Sequence, residues 1–255
     1  MPIALVVRTN AKKTENMSMK MTFFTLAILT LFNLTSCGHS QVIIPKEFVE
    51  TVPPKVGSNE WYSLNYSSNE FGVKIIDRKL EIKKLNEVNE CELYISNGKL
   101  IGVNRGEWGG KLTFMPADTT QKNIEIKSGN IKFIFKFKDK IYFIEGLAHL
   151  GYSGGALFEL DAKDNMFTYK QLVDFDDAPE AFTIYQDKFL IATHKKFYVI
   201  KDFQKELIFQ DTFWSSLYPN SIAVFDDKNV FIGIRSGIVK LDLTTKTLKF
   251  YKSNK

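Results

Sequence analysis

The chain has 255 residues, 44% of them apolar and 25% charged, which is enough apolar material for a substantial core and too much for a disordered chain. Two cysteines exclude a scaffold stapled by disulfides. The net charge of +5 comes from scattered lysines that form no basic stripe, which excludes a nucleic-acid partner.

Residues 1–18, "MPIALVVRTNAKKTENMS", fit no targeting logic, and Met19-Lys20 makes a better start, so this stretch reads as an upstream mis-start. Residues 19–36 have a charged beginning, a twelve-residue apolar run at 23–34 and a small-residue ending, the layout of a secretory signal. As a helix that run would span about 18 Å, well short of the roughly 30 Å of a bilayer core, so it does not anchor by spanning. Leu34-Thr35-Ser36-Cys37 resembles the lipobox of bacterial lipoproteins. That resemblance implies a diacylglyceryl group on Cys37, a further acyl chain on its new amine, and a place in the cell envelope on the inner or outer membrane, facing the periplasm or the exterior. Two or more chains hold a protein firmly where one does not. Removal of the signal strips four basic residues and one acidic one, leaving +2. With Cys37 acylated, Cys91 has no partner for a disulfide.

Residues 37–60 hold Pro45, Pro53 and Pro54 without sustained periodicity and read as an extended tether. From residue 61 to 255 helix signals nearly vanish, "EWYSLNYSS" included, which is read as a strand. Short runs of Phe, Ile, Val and Tyr alternate with Asp, Asn, Gly and Lys clusters. "YISNGKLIGVN", "KFKDKIYFIEG", "IYQDKFLIATH" and "VFDDKNVFIGIR" are four hairpins, each followed by a second: "LTFMPADTTQKNIEIK", "ALFELDAKDNMFTYK", "FYVIKDFQKELIF" and "IVKLDLTTKTLKFY". "GVKIIDRKLEIKKL" is a fifth copy of the second hairpin. Four strands per unit of about forty to fifty residues is the period of a propeller blade. The expected fold is all-β, a β-propeller of about five four-stranded blades, with a β-sandwich as the competing architecture. "PNSIAVFDDKNVFIGIRSGIVKLDLTTKTLKFY" resembles blades of YVTN-type and two-component-regulator propellers of bacterial extracytoplasmic proteins. The first blade fits poorly, because "EWYSLNYSS" supplies one strand whose partner must come from residues 41–60 or be missing.

In a four-stranded meander the connections after second and fourth strands emerge on one face. That face collects Arg105, Trp108, His149, Tyr152, His194 and Arg235 after second strands, and "DFDDAPE" with Glu180 and "FWSSLYPN" with Trp214, Tyr218 and Asn220 between blades. Rigid rings and guanidinium forks of this kind are enriched at interfaces, whereas the same rings could plug gaps between blades. Arg105 and Arg235 could instead pair with "DFDDAPE". Cys91, Lys132, Glu180 and Asn220 are equivalent by register at the mouths of the innermost strands.

Gly151-Tyr152-Ser153-Gly154-Gly155 matches the G-x-S-x-G nucleophile elbow, which works only at a strand-to-helix turn. A strand, "ALFELD", follows instead, so the glycines read as serving a tight or bulged loop. His149, His194 and a carboxylate lack the spacing that fixes metal ligands, and the acidic run at 174–180 lacks that of a calcium loop. No metal or cofactor is implied. The reading is a lipid-anchored binding or scaffold module that docks a protein, peptide or glycan on its loop face, or a protective or assembly lipoprotein. The alternative is a propeller hydrolase or lyase using His149, His194 and loop carboxylates. Convergence of His149, His194 and Glu180 would favour the enzyme, and their dispersal would favour docking.

Overall fold

The computed structural model describes residues 42–85, 89–163 and 166–254. Cys37 and its signal segment lie outside the described residues. Among those described, no helix is long and apolar enough to cross a membrane.

The body that begins at Val42 is all-β: five antiparallel sheets follow one another, in the blade succession of a propeller. Strands β4 (Glu90–Ile95), β5 (Gly98–Asn104), β6 (Gly110–Pro116) and β7 (Ile124–Ser128) form one blade. The next is β8 (Ile131–Phe137), β9 (Lys140–His149), β10 (Tyr152–Lys163) and β11 (Met166–Phe175). Then come β12 (Pro179–Tyr185), β13 (Lys188–Thr193), β14 (Phe197–Lys201) and β15 (Gln204–Phe209). The last is β16 (Ser221–Asp226), β17 (Asn229–Ile234), β18 (Gly237–Asp242) and β19 (Thr247–Ser253). The first sheet is a bare hairpin of β2 (Phe71–Ile76) and β3 (Lys79–Lys84). First strands adjoin in the order β4, β8, β12, β16, β2.

The start of the chain departs from expectation. β1 (Phe48–Thr51) does not complete the first sheet; it pairs with β19, Phe48 opposite Ser253, so the beginning and end of the body share one five-stranded sheet. "NEWYSLN" is not a strand but helix α1 (Asn59–Asn65). Ser58 caps it, its Oγ accepting from the Trp61 N–H at 3.2 Å, and Trp61 and Leu64, three apart, share the buried side. The Trp61 indole N–H donates to the Phe213 carbonyl at 2.9 Å, fixing the helix to the connection between the last two blades. Part of the expected tether is therefore folded, as β1 and the start of α1.

Apolar burial lies between sheets rather than within them, as in a stack whose units cannot cover their own faces. Trp214, Leu217, Leu190, Ile232 and Phe250 fill the layer between the last two blades, joined by Trp61. Phe135, Tyr142, Phe189 and Tyr198 fill the one before it, and Leu100, Phe114, Phe143 and Phe158 the one before that. β13 and β17 are buried along nearly their whole length, so they read as continuous apolar runs. β4 alternates exposed and half-buried residues, because its outer side has no full blade against it.

Hairpin turns Asp77-Arg78, Lys138-Asp139 and Asp202-Phe203 all have two consecutive positive φ values, the twist that a right-handed hairpin needs. Phe203, at φ 60°, is a bulky residue in that region; its ring sits 5.8 Å from Tyr142 and 6.2 Å from Phe189, and this packing offsets the strain.

Candidate functional site

The connections after second strands and those between blades gather at one end and bond to each other. Arg105 N–H donates to Asn130 Oδ1, His194 N–H to the Ala178 carbonyl, Thr212 N–H to the Lys195 carbonyl, and Arg235 N–H to the Leu217 carbonyl. The face is thus a connected backbone surface.

A cleft of about 340 Å³ opens there, with His149, Tyr152, Glu180, His194, Lys195 and Tyr218 among its walls. Its position follows from two glycines. Gly146 on β9 faces Gly155 on β10, and a Cβ on either would come within 2.7 Å or 2.6 Å of the Pro179 ring. Two absent side chains therefore make the notch into which Pro179 fits. Proline cannot donate to a ladder, and the register of β12 with β13 shifts between Pro179 and Ala181, leaving Glu180 as the extra residue of a bulge. Within "GYSGG", Gly155 serves this notch and Gly151 takes a positive φ of 86° in the turn, and Ser153 has no elbow role. It is the second residue of strand β10, donates to Asp177 Oδ1 at 2.5 Å and accepts from the Ala178 N–H at 2.9 Å.

Asp177, one of the acids of the run at 174–180, is not part of a solvated loop but is buried, 2% exposed, and is the organiser of this end. Its other oxygen accepts from Thr193 Oγ1 at 2.5 Å and from the Lys195 N–H at 2.6 Å, so one carboxylate holds both flanks of His194. Its neighbour Asp176 is held well below the usual carboxylate range by Lys196 and by the Tyr198 hydroxyl, each at 2.6 Å. Burial and this same carboxylate push the Tyr198 hydroxyl up. Acids from "DFDDAPE" thus point to separate partners. Among the described residues no three His, Cys, Asp or Glu side chains are grouped as metal ligands.

His194 Nδ1 lies 3.1 Å from Glu180 Oε1, and its Nε2 3.3 Å from Ser215 Oγ. Written with Nδ1–H donating to the carboxylate, Nε2 accepts the serine hydroxyl proton and both ring nitrogens are satisfied. The order is that of a nucleophile, base and acid, but Ser215 is buried, 8% exposed, and forms no part of the cleft wall. The relay fixes the imidazole. Glu180 is nearly enclosed, its side chain 9% exposed, and its Oε2 has no partner. His149 does not join this group: its Nε2 lies 3.1 Å from Glu107 Oε2, although its ring borders the same cleft. Convergence is therefore partial.

Other expected site residues divide. Tyr152 and Tyr218 are 62% and 45% exposed at the cleft, and Trp108 is 81% exposed on a 3-10 turn next to Glu107. Arg105 is exposed at the start of that turn. Trp214 is not a surface ring; it is fully buried, its indole N–H donating to the Thr193 carbonyl at 3.1 Å, because "FWSSL" folds inward between blades. Arg235 does not pair with residues 174–180. Its guanidinium donates to Glu70 Oε1 and to the Asn65 carbonyl, both at 2.7 Å, and stacks on Tyr218 at 4.3 Å, tying the end of α1 to the last blade. Asn220 accepts from Ser221 Oγ at 2.8 Å and keeps a buried Nδ2 without a partner. Cys91 packs inside, where burial pushes its thiol up to about 11.

No family model matches the sequence, and no curated protein does. Among solved structures, the computationally designed Ika4 protein is similar at 12% identity and a TM-score of 0.36, over 67% of this chain and 96% of that one. The N-terminal domain of Nup159 is similar at 8% identity and a TM-score of 0.36, over 78% and 66% of the two chains. The designed Ika8 protein is similar at 15% identity and a TM-score of 0.33, over 71% and 70%.

Proposed function

We propose that the protein is a binding module of the bacterial cell envelope, anchored by acyl chains on Cys37, whose loop-face cleft takes a saccharide unit of a glycan. The observation that carries this reading is the pairing of two exposed tyrosine rings, Tyr152 and Tyr218, with inward-held hydrogen-bonding groups, Glu180 and His194, around one open cleft. Sugars offer an apolar ring face beside a fringe of hydroxyls, and such walls match both. An apolar peptide would find few apolar walls in this cleft. The relay through Ser215 supports positioning of His194 rather than hydrolysis, since the hydroxyl that would attack is covered.

The lipobox-like "LTSC" supports the anchor. The test has two arms. Mass spectrometry of the membrane-extracted protein should find an acylated residue 37, and Cys37→Ser should release the chain from membranes. On a panel of immobilised glycans, wild type should bind a subset and Tyr152→Ala with Tyr218→Ala should lose at least tenfold. An unmodified thiol at residue 37 overturns the anchor, and binding untouched by the tyrosine changes overturns the cleft.

A further inference from the structure

We infer that the cleft recognises a primary ammonium group on its ligand, with Glu180 as the counter-charge; this rests on the saccharide reading above and makes the favoured unit an amino sugar with a free amine. Nearly every other acid of the loop face has its partner. Asp176 is matched by Lys196, Asp177 by three donors, Glu107 by His149, Glu145 by Lys127 and Glu70 by Arg235. Glu180 is nearly enclosed and has neither a lysine nor an arginine on it, and it differs from the buried Asp177, both of whose oxygens take hydroxyl or N–H donors, in that His194 occupies one oxygen and the other has no partner. A carboxylate taken out of water without a cation is costly, and a cation arriving at the cleft wall recovers part of that cost.

Three further features fit an ammonium better than a neutral group. The bulge after Pro179 sets Glu180 apart from the β12 ladder, so its position is fixed by backbone and not by a flexible loop. Tyr152 stands 62% exposed at the same cleft, and an aromatic face beside a carboxylate is the pairing that holds ammonium ions. Tyr218 already carries a cation on one face, the Arg235 guanidinium at 4.3 Å, which shows the electrostatic sense of these rings.

The same ammonium could come from a saccharide or from the α-amine of an amino acid or peptide, and the probes separate them. Glucosamine, N-acetylglucosamine and alaninamide are titrated into the full chain in detergent, with binding followed by ligand-observed NMR. Glucosamine should bind at least tenfold more tightly than its N-acetylated form, and Glu180→Gln should abolish that preference. This substitution keeps an acceptor for His194 and nearly the same shape, and an unchanged urea midpoint verifies the fold. Equal binding of the two sugars to wild type, or a preference that survives Glu180→Gln, overturns the inference. Binding of alaninamide alone, lost in Glu180→Gln, upholds the ammonium site and overturns the saccharide reading. Binding of none of the three overturns both.

Discussion

Two tryptophans that look alike in the sequence, each in a loop on the same face, should behave in opposite ways when removed. Trp214 is fully buried and its indole donates to the Thr193 carbonyl; Trp108 is 81% exposed. Truncating a buried tryptophan to alanine removes about 3–5 kcal/mol through lost transfer energy and the cavity left behind. Loss of the hydrogen bond to Thr193 adds about 1 kcal/mol. Trp214→Ala should therefore lose about 4–6 kcal/mol, a large fraction of the 5–15 kcal/mol that typically holds a domain together. With a urea m-value of about 2.5 kcal/mol/M, the midpoint falls by about 2 M. Trp108→Ala should stay within about 0.5 kcal/mol, a shift of about 0.2 M. Circular dichroism in urea at fixed protein concentration reads both variants. The damage should also reach the cleft, because Thr193 precedes His194 directly. A loss below about 1 kcal/mol for Trp214→Ala, or equal losses for the two variants, would refute the assignment of one ring to the core and the other to the surface.

Gly155→Ala should cost about 3 kcal/mol, since its Cβ would stand 2.2 Å from the Glu145 carbonyl and 2.6 Å from the Pro179 ring. Gly151→Ala, at φ 86° with open space around it, should cost about 1 kcal/mol, and urea midpoints that rank the two the other way would sink the notch argument. Cys91 has its thiol raised from 9.0 to about 11 by burial, so its contribution to stability is complete below pH 9 and is lost as pH climbs through about 11. Cys91→Ala should accordingly flatten the fall of stability over that window, by at most about 1.4 kcal/mol per pH unit, and an unchanged slope would contradict it.

The blade pattern was legible because it rests on hydrophobic runs and polar turns that repeat at one period. Residues such as Leu190, Ile191, Val230 and Ile232 announce their burial by composition alone. The Glu180–His194 contact was nearly legible, since both belong to the β12–β13 hairpin and are 14 residues apart. What failed depended on partners far along the chain. Arg235 meets Glu70, 165 residues earlier, where the sequence offered the acidic run at 174–180 as a nearer candidate. "NEWYSLN" carries aromatic residues that favour strands, yet Ser58 and the three-residue spacing of Trp61 and Leu64 encode a capped helical turn. The sequence left Trp214 open between a docking ring and a plug between blades, and it is the plug: Thr212, Phe213, Trp214, Ser215 and Leu217 are all buried although they lie in a connection between strands.

The residues that give the loop face its chemistry stand where the regular ladder is interrupted. Pro179 cannot donate, so β12 bulges and Glu180 is set apart from the ladder; β8 shifts register in the same way between Ile131 and Phe133, around Lys132. In the blade before, Cys91 stays in register opposite Gly102, and its side chain is spent on packing. One structural position thus carries a thiol packed against the core, an ammonium and a carboxylate in successive blades, and the two charged versions are those in which the strand is bulged. A ladder residue is committed by pairing to one side of its sheet, whereas a bulge residue is released from that alternation. Repair of the β12 bulge by deleting Glu180 would restore the alternation and remove the counter-charge together, which is why substitution at residue 180, and not deletion, separates the chemistry of the cleft from the shape that presents it.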